Sequence, residues 1–138
     1  MTTIAYKNNV IAYDSRRCQN NTIVTDSCNK KHTVDNVHFF ICGAVSDIDD
    51  FVESYFGKKP QSTIDCTAFV YDKGKLYKCG VDKDMKFWKC PAESPASIGS
   101  GADHAITAMD MGADAKTAVK MAMKRDYVTG GRIRTFKL

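Results

Sequence analysis

The chain has 138 residues, of which 43% are hydrophobic and 26% charged, and it carries a formal net charge of +4. These values are ordinary for a globular protein and exclude a disordered chain, and the length suits a single domain spanning residues 1–138. Lys and Arg are dispersed among Asp and Glu, which argues against a nucleic-acid-binding face, because such a face needs a denser basic stripe.

The sequence predicts neither a membrane segment nor a targeting leader. Its longest apolar runs, such as residues 39–42, have the length of a strand. We therefore expect a cytoplasmic protein without membrane contact. The six cysteines form no CxxC pair, which argues against a zinc site or a disulfide framework.

Runs rich in β-branched and aromatic residues predict the strands of a sheet protein. In chain order they cover residues 3–7, 10–14, 22–25, 31–34, 37–42, 66–71, 75–79, 85–89 and 132–137. Asn8-Asn9 predicts a tight hairpin turn, since Asn tolerates a positive φ, and Asp72-Lys73-Gly74 predicts a second hairpin. The polar stretch over residues 15–21 breaks the pattern.

Three segments have the i, i+3, i+4 apolar spacing of amphipathic helices. The first covers residues 46–56, with Ser46 as its predicted N-cap, and the second covers residues 102–111. The third begins after Asp114, a good N-cap, and has the cleanest pattern in the chain. The residues predicted to end these helices are Gly57, Gly112 and Gly130-Gly131. The order of strands and helices predicts an α+β layered sandwich.

Thr2 is the first candidate for chemistry. Methionine aminopeptidases remove Met1 when a small residue follows, and this would leave Thr2 with a hydroxyl and a free α-amine. An α-amine has a pKa of about 7.7 to 8, so it can act as a general base for its own hydroxyl. Such an amine needs a nearby cation and hydrogen-bond acceptors. Asp14, at the end of the hairpin, and Lys31, at the start of a later strand, are candidates for that environment.

The opening TTIAYKNNVIAYDS resembles that of the proteasome β-subunits, and most closely that of the bacterial proteasome-like peptidase HslV. On this resemblance Thr2, Asp14 and Lys31 match the three functional positions of the family. Lys30 is a rival to Lys31, because a slip of one residue turns the side chain to the other face of the sheet.

Three further elements follow in the family's order. CGAVSD is similar to the element whose first glycine supplies an oxyanion-hole amide, here Gly43. IGSGAD matches a G-S-G turn and makes Ser100 the supporting serine. DYVTGG matches a D-x-x-S-G-G signature, which assigns Asp126 and Thr129, with threonine in place of serine.

The resemblance implies a four-layer αββα sandwich, the N-terminal nucleophile hydrolase fold, in a shortened member. Its helical layer should be reduced, because the stretch between Asp47 and Cys66 has room for one helix where the family has two. It also implies a threonine-type peptidase or amidohydrolase that acts on peptides or proteins without a cofactor. Self-association is implied as well, with ring formation left open, and an ATP-dependent unfoldase is allowed as a partner.

Two other functions remain open at this point. One is a catalytically silent protein that keeps the fold for assembly or binding. The other is a basic adaptor that contacts nucleic acid or a larger machine. Removal of Met1 separates the first of these from a peptidase, since a retained Met1 blocks the amine.

Overall fold

Residues 2–138 are described by a computed structural model. Met1, on whose removal the predicted chemistry depends, lies outside the described residues. Contacts between Cα atoms divide the chain into two units. One unit is Lys31–Ala92, and the other combines the chain up to Lys30 with Glu93–Leu138. The expectation of a single domain stays a prediction.

The described chain contains eleven strands and three α-helices. The strands are β1 (Thr3–Lys7), β2 (Val10–Tyr13), β3 (Arg17–Gln19), β4 (Thr22–Thr25), β5 (Lys31–Val34), β6 (Val37–Gly43), β7 (Cys66–Asp72), β8 (Lys75–Val81), β9 (Phe87–Pro91), β10 (Ala96–Gly99) and β11 (Arg134–Lys137). The helices are α1 (Ile48–Tyr55), α2 (Ala102–Asp110) and α3 (Ala115–Met123). Among residues 2–138, no helix is both long enough and apolar enough to cross a membrane.

The unit that contains both chain ends is built on a four-stranded antiparallel sheet. Its strand order is β10-β1-β2-β11, and β3 and β4 form a separate two-stranded hairpin. Asn8 and Asn9 join β1 to β2 with φ values of 50° and 64°. The predicted hairpin is therefore confirmed, and it makes β1 a central strand of the sheet.

Helices α2 and α3 pack against this sheet through small side chains. Ala5 of β1 and Ala12 of β2 are fully buried in one cluster with Ala105 of α2 and Ala118 of α3. Alanine leaves little distance between a helix and the backbone it covers, so both helices lie close to β1 and β2. The alanines on the buried face of α3, among them Ala115 and Ala118, allow this close packing.

The N-cap of α3 provides the first testable prediction. The Asp114 carboxylate accepts the Thr117 N–H at 2.8 Å, so Asp114→Ala should lower the free energy of unfolding by about 1 kcal/mol. This backbone hydrogen bond holds the pKa of Asp114 below its ordinary 3.8. The contribution is therefore present at neutral pH and is lost as the pH falls below that value.

Urea denaturation of wild type and Asp114→Ala at neutral and acid pH measures this effect. Asp110→Ala is the control, because Asp110 is the last residue of α2 and a carboxylate there opposes the helix dipole. We expect the control to be neutral or slightly stabilising. Equal losses in the two variants would contradict the assigned cap.

The Lys31–Ala92 unit is a five-stranded antiparallel sheet with one helix. Its order is β5-β6-β7-β8-β9, so every strand pairs with its neighbour in sequence. Phe51 of α1 is fully buried against apolar residues of the sheet, among them Phe39, Ala68 and Val70. The one helix predicted between Asp47 and Cys66 is thus present.

Four sequence predictions about element boundaries are wrong. The polar stretch predicted to break the strand pattern contains β3, and β10 was not predicted; both are short and are stabilised by pairing with other strands. A 3-10 turn (Val45–Asp47) precedes α1, so Asp47 rather than Ser46 occupies its N-cap position, without a side-chain cap bond. Helix α3 ends at Met123, well before Gly130.

Candidate active site

Thr2 lies immediately before β1, at the edge where β1 pairs with β10. Its neighbour Thr3 pairs with Gly99, and Gly101 N–H points to the Thr2 carbonyl at 3.5 Å. Gly99 has a φ of +99°, and a side chain there would overlap the Thr2 carbonyl. The Gly-Ser-Gly segment is therefore needed for close approach, and it fixes the backbone of Thr2 while leaving only 5% of the residue exposed.

A buried ion pair lies against the Thr2 hydroxyl. Lys30 Nζ donates to Thr2 Oγ1 at 2.9 Å and to Asp14 Oδ1 at 2.8 Å. Lys30 is 6% exposed and Asp14 is fully buried. A buried pair of this kind persists only when its geometry is good and further hydrogen bonds satisfy the charges.

The Asp14 carboxylate receives those further hydrogen bonds from the backbone. Its Oδ1 accepts the Thr3 N–H at 3.1 Å in addition to Lys30, and its Oδ2 accepts the Gly130 N–H at 3.0 Å and the Arg16 N–H at 3.3 Å. Four donors thus converge on one carboxylate. Hydrogen bonds from β1 and from the turn before β11 fix the Asp14 carboxylate. The carboxylate then positions the Lys30 ammonium against Thr2.

The lysine at this position is Lys30, which corrects the assignment of Lys31 made from the sequence. Lys31 is the first residue of β5, where it pairs with Phe40 in the other unit. Successive residues of an extended chain point to opposite sides, so a change of one position decides which lysine meets Thr2. Lys30, the alternative named from the sequence, is thus the lysine in contact with Thr2.

The Thr2 nitrogen faces a second group of polar side chains. It donates to Ser100 Oγ at 3.1 Å, and Ser100 Oγ donates to Asp126 Oδ2 at 2.6 Å. Thr129 Oγ1 donates to the same carboxylate oxygen at 2.6 Å. Ser100, Asp126 and Thr129, all predicted from the sequence, are therefore joined by hydrogen bonds, and Ser100 connects them to Thr2.

The Asp126 carboxylate is ionised by its surroundings. Burial alone raises its pKa, but the hydrogen bonds from Ser100 and Thr129, with one from the Val128 N–H, outweigh burial and lower the pKa below 3.8. Asp126 follows the end of α3, and the tight turn after it returns Thr129 to the same carboxylate, with Thr129 N–H bonded to Asp126 O at 3.0 Å. The D-x-x-T spacing is thus a local turn that brings a hydroxyl to its acceptor.

The sequence analysis missed Thr3. Its side chain is fully buried, and its Oγ1 lies 2.8 Å from Thr129 Oγ1. The only signal in the sequence was the repeated threonine of the opening, which was analysed for Thr2 alone. Thr3 therefore joins the residues that surround Thr2.

Gly43 is the last predicted site residue, and it ends β6 in the Lys31–Ala92 unit. Its φ of +131° lies in the region that favours glycine, and a side chain there would overlap the Asp65 carbonyl. These facts explain why glycine stands at this position. Its role as an oxyanion-hole donor stays a prediction.

The arrangement around Thr2 places the Lys30 ammonium on the hydroxyl and the Ser100 oxygen on the nitrogen of the same residue. The Lys30 ammonium, which donates to Oγ1, would stabilise negative charge there, and the Thr2 N–H donates to Ser100 Oγ. Once that nitrogen is a free amine, a nucleophile and a base are adjacent within one residue. This is the chemistry needed for attack on a carbonyl carbon.

The overall structure is similar to solved structures of HslV and BPH, although neither a family model nor a curated protein matches the sequence. Eukaryotic HslV from Trypanosoma brucei matches with a TM-score of 0.69 and 14% identity, over 99% of this chain and 99% of that chain. BPH from Thiobacillus denitrificans, in complex with epoxomicin, matches with a TM-score of 0.68 and 14% identity, over 99% and 97%. A further structure of BPH from the same organism matches with a TM-score of 0.68 and 15% identity, over 99% of this chain and 96% of that chain.

At these identities the likeness shows the fold. The chain has the α+β fold of the HslV and proteasome-type threonine peptidases, the N-terminal nucleophile hydrolase fold, with a reduced set of helices. The fold expected from the motifs of the sequence is thereby confirmed.

Proposed function

We propose that the protein is a threonine-type peptidase or amidohydrolase in which Thr2, after removal of Met1, is the nucleophile. The observation that carries the proposal is the contact of the buried Lys30 ammonium with Thr2 Oγ1 at 2.9 Å. An ammonium group is costly to bury, and here it is aimed at a hydroxyl rather than only at its counter-ion. Stabilising the charged form of that hydroxyl accounts for the arrangement.

The base in this proposal is the α-amine of Thr2. Ser100 has one hydroxyl proton, and the short bond to the Asp126 carboxylate takes it in preference to the Thr2 carbonyl at 3.5 Å. Ser100 Oγ is then an acceptor for the amine N–H and leaves the nitrogen lone pair free. The positive charge of Lys30 disfavours protonation of the nearby amine, so the neutral, basic form is maintained.

The proposed reaction balances without a cofactor. Thr2 Oγ1 adds to the scissile carbonyl carbon while the α-amine takes the hydroxyl proton. The amine passes this proton to the leaving nitrogen as the C–N bond breaks, which leaves an ester on Thr2. Water, deprotonated by the same amine, then attacks the ester carbonyl; the acyl C–O bond to Thr2 breaks, the amine returns the proton to Oγ1, and the acid product is released. We assign the oxyanion contact to the Gly43 N–H, a role typically worth about 3 to 4 kcal/mol.

Three wider features belong to the same proposal. The substrate is a peptide or protein chain, the protein acts in the cytoplasm, and it associates with further copies of itself. An ATP-dependent unfoldase would supply unfolded substrate. The structural likeness to HslV supports the substrate class and the partners only through the fold, and the cytoplasmic location is proposed from the sequence alone.

Thr2→Ala tests the proposal. Alanine is also small, so Met1 should be removed from wild type and variant alike, and intact-mass spectrometry checks this. We expect wild type to cleave a fluorogenic peptide and to form a covalent adduct with epoxomicin, and Thr2→Ala to lose at least about a thousandfold of the turnover and all of the adduct. Thr135→Ala, a matched change at an exposed threonine of β11, should behave as wild type.

Two results would overturn the proposed function. Met1 retained in the native protein would leave no free amine on Thr2. Absence of both turnover and adduct after its removal would favour the catalytically silent alternative.

A further inference from the structure

The inference concerns Thr3 and rests on the proposed function. Thr3 is fully buried, yet it carries a hydroxyl, and a buried hydroxyl is retained at a cost unless it is hydrogen-bonded. Its partner is Thr129 Oγ1 at 2.8 Å. The direction of this bond follows from the number of protons available.

Thr129 has one hydroxyl proton, and the Asp126 carboxylate accepts it at 2.6 Å. An ionised carboxylate can only accept, so this bond cannot run the other way. Thr129 Oγ1 is therefore the acceptor from Thr3, and Thr3 is the donor. Ser100 gives its proton to the same Asp126 oxygen. The hydroxyls of Thr3 and Thr129 thus form one ordered chain that ends, together with Ser100, on Asp126.

Packing fixes the Thr3 hydroxyl in this direction. A side chain at Gly101 would overlap Thr3 Oγ1 and would also approach Ala122 and Thr129. Glycine at this position leaves just the space that the Thr3 hydroxyl occupies. The hydroxyl is consequently enclosed by β1, by the start of α2 and by the turn after Asp126.

Thr3 also contacts the opposite side of the Thr2 environment. Its backbone N–H donates to Asp14 Oδ1 at 3.1 Å, and Lys30 binds that same oxygen. Thr3 thus connects two groups: the Lys30–Asp14 ion pair beside the Thr2 hydroxyl, and the hydrogen-bonded hydroxyls beside the Thr2 nitrogen. A shift of Thr3 would move the two groups relative to each other.

We propose that Thr3 is a positioning residue for Thr2: its hydroxyl, donated to Thr129, orders the chain of hydroxyls that ends on Asp126, and this keeps Ser100 as an acceptor for the Thr2 nitrogen. The hydroxyl of Thr3 touches neither substrate nor the reacting atoms. Its removal should therefore slow turnover without weakening substrate binding.

The test compares side chains with and without the hydroxyl at closely matched size. Thr3→Val keeps the shape and removes the donor, whereas Thr3→Ser keeps the donor and removes the methyl group. Thr3→Ala, compared with Thr3→Ser, repeats the contrast if the valine variant folds poorly. Thr135→Val on the exposed side of β11 controls for the change itself. For each variant, kcat and KM are measured with a fluorogenic peptide, together with the rate of adduct formation with epoxomicin.

We expect Thr3→Val and Thr3→Ala to lower kcat and the adduct rate about tenfold, the value of one hydrogen bond, with KM unchanged. Thr3→Ser should retain most of both. If Thr3→Val and Thr3→Ser are equally active, or equally impaired, the hydroxyl has no such role and the inference is wrong while the proposed function stands. If wild type shows neither turnover nor adduct, the proposed function fails and the inference with it.

Discussion

Lys30→Met should lower the proposed peptidase activity about 10²- to 10⁴-fold, and Lys31→Met should leave it within about threefold of wild type. Methionine is close to lysine in length and removes only the ammonium that contacts Thr2 Oγ1 at 2.9 Å and Asp14 at 2.8 Å. Without this charge the Thr2 hydroxyl loses its stabilising cation, and the α-amine loses the neighbour that disfavours its protonation.

The pair of adjacent variants is a sharp control, since both remove one positive charge from neighbouring positions. Both are assayed with the same fluorogenic peptide at saturating concentration, after circular dichroism confirms that each is folded. A loss in Lys31→Met as large as that in Lys30→Met would contradict the assignment of the cation. It would instead favour the residue predicted from the sequence.

Asp14→Ala should lower the free energy of unfolding by about 3 to 5 kcal/mol, the typical cost of leaving a buried charge without its partner. The Asp14 carboxylate is fully buried and accepts from Lys30 and from the N–H groups of Thr3, Gly130 and Arg16. The alanine variant leaves the ammonium without its counter-ion and these backbone donors without an acceptor. Urea denaturation followed by circular dichroism measures the loss.

The matched control is Asp26→Ala, which breaks the exposed ion pair of Asp26 with Arg16. Solvent screens that pair, so the loss should be far smaller. In addition, the double variant Asp14→Ala with Lys30→Met should be less unstable than the sum of the two single variants, because no uncompensated ammonium remains. Equal losses for Asp14→Ala and Asp26→Ala would mean that the buried pair does not stabilise the unit as described.

Local patterns predicted the elements whose structure is decided by neighbours in sequence. The Asn8-Asn9 hairpin, the Asp114 cap and the amphipathic α3 depend on contacts within a few residues, and all three were read from the sequence. Short strands were harder. β3 and β10 are only three and four residues long and form because a partner strand supplies hydrogen bonds, the adjacent β4 for β3 and the distant β1 for β10.

The candidate site divides in the same way. Thr2, Asp14, Ser100, Asp126 and Thr129 were identified from motifs, and the structure brings them together within the unit that contains both chain ends. The choice between two adjacent lysines was not available from any local pattern. In extended chain a single position reverses the direction of a side chain, so only the tertiary structure places Lys30 on Thr2.

The sequence by itself predicted the residue types of the proposed chemistry: a threonine as nucleophile, two carboxylates, and the small residues that let strands approach it. The tertiary structure decided which of the polar groups are hydrogen-bonded to one another. The hydroxyl of Thr3 meets that of Thr129 across 126 positions of the chain, and no spacing rule reaches so far. Hydrogen bonds between distant residues depend on how strands and turns pack. This packing therefore decides which groups around Thr2 donate and which accept.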